Sequence, residues 1–149
     1  ALATIDAALN IRDIDGDGEE DTLIPAGIVW MQGETDGTHE EAAKDYGDNL
    51  AELAELFRAA LRKDDLPFII GRISDSKANT PSGERVWAFG DEVRGEQHDV
   101  AERDPHAEIV TSTDDYEYSD PYHYDTEGYI DLGIEFAEAM HKLRESKDD

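Results

Sequence analysis

Three short apolar runs limit what this chain can fold into. They occupy residues 28–31, 68–73 and 107–112. Runs of this length between turn signals read as buried strands. Between the first two, Tyr46, Leu50, Leu53, Phe57 and Leu61 recur at helical spacing, which predicts a long helix over 38–63. Thr38, with Glu41 three residues on, predicts a capping box at its start. Val86, Phe89, Val93, Gln97 and Val100 predict a second helix, stopped by Pro105. Tyr129, Leu132, Phe136, Met140 and Leu143 predict a last one, and Leu2, Ile5 and Leu9 a short one at the start. Alternating strands and helices imply a parallel sheet with right-handed crossovers. The expected class is therefore α/β: a three-layer, flavodoxin-like sheet with helices on both faces, in a single domain over 1–149.

Charge narrows the partners. Asp and Glu number 38 against 13 Lys and Arg, a net charge of −25. The acidic residues are spread along the chain, unlike a disordered acidic tail. A field of this sign repels phosphate and excludes nucleic acid as a partner. Two settings account for it: adaptation to high salt, which screens self-repulsion, or an acidic protein of a secreted or periplasmic environment. No apolar run reaches membrane-spanning length. The opening residues have no basic segment before an apolar one, so no signal peptide is expected. The absence of cysteine excludes disulfides, thiolate metal sites and cysteine nucleophiles.

Residues 13–21 place Asp13, Asp15 and Asp17 at alternate positions, then Gly18 and Asp21. Four carboxylates this close repel one another unless a cation or salt offsets them. The pattern resembles short Asp-x-Asp-x-Asp-Gly-x-x-Asp calcium loops, and a structural Ca²⁺ on Asp13, Asp15, Asp17 and Asp21 is expected. An EF-hand is excluded because its twelfth position is Ile24. A phosphatase-type Asp-x-Asp nucleophile needs an apolar strand before it, and Asn10-Ile11-Arg12 is not one.

The richest chemistry follows the first strand. Trp30-Met-Gln-Gly-Glu-Thr-Asp36 resembles the central block of the sialate O-acetylesterase-like and family 6 carbohydrate esterases of the SGNH hydrolase superfamily. Asp120-Pro-Tyr-His123 resembles the closing Asp-x-x-His block of that superfamily. Asp36-Gly-Thr-His39 has the same spacing, but His39 lies at a helix start, whereas His123 follows the last strand. The resemblance implies hydrolysis of an acetylated carbohydrate or small ester without a catalytic cofactor. A serine would attack the acetyl carbonyl, and His123 would take its proton as general base. Gln32 and the backbone of Gly33 would donate to the oxyanion. Either Asp120 or Glu34 would orient the imidazole, and spacing does not choose between them.

One part of the pattern is missing. The family's nucleophile lies in a Gly-Gln-Ser-Asn-type block ahead of the tryptophan motif. Here the serines are Ser74, Ser76, Ser82, Ser112, Ser119 and Ser146, and none precedes Trp30. The resemblance covers residues 25–141 and corresponds to the C-terminal part of such an esterase. Three explanations follow: a product of proteolysis, a truncation, or a pseudoenzyme that serves as a calcium-stabilised carbohydrate-binding or interaction module. A relocated nucleophile at Ser76 or Ser119 is disfavoured, because Ser119 is next to Asp120. In the first two cases the strand at 28–31 lacks a neighbour, and an N-terminal fragment of the same protein or a second copy is expected along its edge.

Overall fold

The computed structural model describes residues 2–78 and 81–145. In chain order the elements are α1 (Leu2–Leu9), β1 (Ile28–Met31), a 3₁₀ turn (Asp36–Thr38), α2 (Glu40–Lys44), α3 (Tyr46–Leu61), β2 (Phe68–Gly71), α4 (Gly90–Arg103), β3 (Ala107–Val110), a second 3₁₀ turn (Ser112–Asp115) and α5 (Thr126–Glu145). The strands form one parallel sheet in the order β1-β2-β3. Ile28 pairs with Phe68, and Phe68 with Ala107, so all three strands end level at Met31, Gly71 and Val110.

Side-chain alternation along β2 assigns the two faces. Phe68 and Ile70 point into a core with Leu50, Ala54, Val93 and Val100 from α3 and α4. Ile69 points the other way and packs with Val110, Tyr124, Leu132 and Leu143, the last two from α5. Every residue of β2 is buried, as expected for the middle strand of a sheet covered on both faces. The result is the three-layer α/β arrangement that the alternation implied. β1 is the edge strand, and Val29 on it is half exposed.

The segment after β1 departs from the expected long helix. Thr38 belongs to a 3₁₀ turn, where its hydroxyl donates to the Thr35 carbonyl at 2.7 Å. His39 is the N-cap residue of α2 and makes no side-chain cap bond, so there is no capping box. The helical path breaks at Asp45 and resumes as α3. Gly47 faces the Glu96 side chain of α4, whose carboxylate tip would have to move aside for a β-carbon there. The expected strands at 68–73 and 107–112 are shorter, because Arg72 and Ser112 already belong to the loops of the site. The second helix begins at Gly90, leaving Val86 and Phe89 in the loop before it. On α5, Leu132 and Leu143 are buried, but Tyr129 of the expected face is half exposed. Ser146 lies outside the described residues.

Candidate active site

Chemistry in open α/β sheets gathers beyond the C-terminal ends of the strands. Three segments meet there: Gln32-Gly33-Glu34 after β1, Arg72 to Asp75 after β2, and the loop from Tyr116 to Asp125 after β3.

The first segment is held from below. The Tyr46 hydroxyl donates to the Gln32 carbonyl at 2.7 Å, and Gln97 Nε2 donates to the same oxygen at 3.0 Å. Gly33 has φ +143, and a β-carbon on it would lie 2.8 Å from Val93 Cγ1. Only glycine fits this turn, for backbone and steric reasons together. The Gln32 side-chain amide donates to Asp36 Oδ2 at 2.5 Å, which fixes one of its two N–H groups and leaves the second. Asp36, part of the motif, thus orients the glutamine. Glu34 makes no hydrogen bond or ion pair among the described residues. Its charge nevertheless reaches two phenols. Burial, reinforced by the Asp36 and Glu34 carboxylates, pushes the Tyr46 hydroxyl up. Burial raises Tyr124 further, with contributions from Tyr118 and Glu34.

That loop is pinned at several points. Tyr118 and Tyr124 form a bridge, and both phenols share the Ser74 hydroxyl, at 2.5 and 2.9 Å. Ser76 Oγ donates to the Pro121 carbonyl at 2.9 Å. Ser74 and Ser76 thus serve as anchors of the loop. Trp87 links the two halves. Its ring packs on Tyr122 at 5.6 Å, its indole N–H donates to the Ser74 carbonyl, and its β-carbon sits against Gly37 and Gly90.

Inside the loop, Asp120 turns back on itself. One carboxylate oxygen accepts the backbone N–H groups of Tyr122 and His123, at 2.8 and 2.9 Å. The carboxylate also meets His123 Nδ1 at 2.8 Å. The His123 bond, helped by the two backbone donors, holds the Asp120 carboxyl below the usual carboxylate range. This contact places an N–H on Nδ1 and leaves Nε2 to act as a base. Of the two orienting candidates, Asp120 touches the ring. His39, the other Asp-x-x-His match, bonds its neighbour Thr38 through Nδ1.

Behind the loop lies a cavity of about 480 Å³, lined by Ser74, Asp91, Arg94, Asp114, Asp115 and Tyr118 among others. Asp114 binds Arg72 and both terminal nitrogens of Arg94, at 2.8 and 3.1 Å in the latter case. Burial pushes the Asp114 carboxyl up, but the two guanidiniums outweigh it and hold it low.

A family model described as carbohydrate esterase, sialic acid-specific acetylesterase, matches residues 14–142. The chain belongs to this carbohydrate esterase family. Among solved structures it is similar to an X-ray structure of an Arabidopsis thaliana protein, with a TM-score of 0.71 at 23% identity. That likeness covers 95% of this chain and 50% of the Arabidopsis chain, so the esterase-family chain spans half the length of its structural relative. No curated protein matches it. The likeness fits the SGNH-like three-layer fold.

The acidic loop precedes β1 in the chain. Carboxylate oxygens of Asp13, Asp15 and Asp21 come within 4.8 Å of one another, whereas Asp17 accepts the Glu19 N–H and is not part of the group. Three hard oxygen donors suit Ca²⁺ better than a soft or borderline metal. Sequence reasoning missed Tyr46 and Gln97 as parts of the site. The available signal was an amide at a position of α4 where the periodicity calls for an apolar side chain.

Proposed function

We propose that this chain supplies the general base and oxyanion donors of a serine carbohydrate O-acetylesterase. The carrying observation is the Asp120–His123 pair, seated on the same strand-end platform as the Gln32-Gly33 turn. The attacking serine comes from a segment outside these 149 residues, which packs along the free edge of β1. Its Oγ attacks the acetyl carbonyl while its proton passes to His123 Nε2, and Asp120 stabilises the resulting imidazolium. The carbonyl oxygen gathers negative charge and meets the Gly33 N–H and the second N–H of Gln32. Collapse expels the sugar oxygen, which takes the proton from His123. Water then attacks the acyl-serine by the same route and releases acetate.

The test is hydrolysis of p-nitrophenyl acetate and acetylated sugars. The chain alone is expected to be weak or inactive. With the serine-bearing segment added, the rate rises, and His123→Ala then lowers it by roughly two to four orders of magnitude. Equal rates for wild type and variant would remove His123 from the reaction. A structural Ca²⁺ on Asp13, Asp15 and Asp21 is the companion proposal.

A further inference from the structure

We infer that Gln97 and Tyr46 are positioning residues that aim the Gly33 N–H at the reacting carbonyl. The inference rests on the esterase reading of the site, and it begins from the planarity of a peptide.

The Gln32–Gly33 bond is trans, since the described chain holds no cis peptides. In a trans peptide the carbonyl oxygen and the amide hydrogen point in opposite directions. The Gln32 oxygen points into the core, where Tyr46 Oη and Gln97 Nε2 both donate to it. The Gly33 N–H must then point outward. It finds no acceptor among the described residues. A donor aimed outward from a buried, doubly held carbonyl is preorganised for incoming negative charge.

The arrangement admits one assignment of the Gln97 amide. Its Oε1 accepts the Ile73 N–H at 3.0 Å, so the other atom must be the nitrogen that faces the carbonyls of Gln32 and Gly71. Gln97 is fully buried and joins the end of β2 to the turn after β1. Tyr46 is constrained likewise. Its hydroxyl spends its one proton on Gln32 and accepts from Trp30 Nε1 and Gln97 Nε2, both at 3.4 Å. Gln97 is fully buried and Tyr46 nearly so, and both act through the peptide they hold.

The experiment is ¹⁵N relaxation on the chain itself, comparing wild type with Tyr46→Phe and Gln97→Glu. Tyr46→Phe removes one proton and preserves the ring. Gln97→Glu keeps the shape and the acceptor for Ile73 but removes the donor. In wild type the Gly33 order parameter should match Trp30 and Ile70, near ~0.85, and in each variant fall below ~0.6 while those strand residues stay rigid. Gly33 remaining as rigid as Trp30 in both variants would overturn the inference. If Gln97→Glu does not fold, the milder Tyr46→Phe decides alone. In the serine-complemented enzyme, the variants should lose roughly 10- to 100-fold in kcat with KM unchanged. Wild type and His123→Ala hydrolysing equally would sink the esterase reading, whereas the relaxation result speaks to the turn alone.

Discussion

Asp120 shows how much one carboxylate can organise. Its bonds to His123 and to two backbone N–H groups hold its pKa below the ordinary value. A carboxyl depressed in the folded state contributes order that is present above its unfolded pKa, about 3.9, and lost as pH falls through the folded value. The His123 ring should therefore keep its Nδ1 partner from neutral pH to below the ordinary carboxylate pKa, and lose it as pH falls through the depressed Asp120 value. An NMR titration of the His123 ring protons reads this directly. Asp120→Asn, which keeps an acceptor but carries no charge, should abolish the acid transition. Asp114 has the same sign of dependence, because Arg94 and Arg72 outweigh its burial.

At the scale of elements, the turn after β1 and the cation under β2 carry the steepest costs. Gly33→Ala forces a β-carbon against Val93 at a φ that other residues avoid, and should cost about 2 kcal/mol. At the opposite end of the sheet, Arg58 is buried on α3. It pairs with Asp104 at 2.7 Å and donates to the Leu66 and His106 carbonyls. Arg58→Ala leaves those acceptors unpaired and should cost about 3 kcal/mol, the low end for a broken buried pair because Asp104 keeps some contact with water. Urea unfolding measures both. These elements also mark what the sequence made legible. The strands, the parallel order and α4 followed from apolar spacing, because a sheet covered on both faces leaves that imprint. Block 30–36 was readable because its residue types are chemically specific, whereas 120–123 shares its spacing with Asp36-Gly-Thr-His39 and stood out by its place after the last strand. Gln97 and Tyr46 were hidden for the opposite reason: in a helical pattern a buried amide or phenol looks like a tolerated flaw or a core ring.

Across the whole molecule, charge and an open edge dominate. A net charge of −25 on 149 residues opposes compaction, so the melting temperature should rise steadily with NaCl as screening shortens the reach of that repulsion. At low salt, added Ca²⁺ should raise it further and EDTA reverse the gain, and no response to either would remove the proposed ion. Along β1 the outer row of backbone groups has no strand partner among the described residues, and Val29 is exposed beside it. Sedimentation should show concentration-dependent self-association when no serine-bearing segment is present, and Val29→Lys should suppress it. The molecule also carries its own optical reporter. It has two tryptophans. Trp30 bonds the phenol beneath the oxyanion turn, and Trp87 stacks on the residue next to His123. Both indoles thus report on residues that hold the site, so the intrinsic emission spectrum should register a sugar arriving there without a dye or a label.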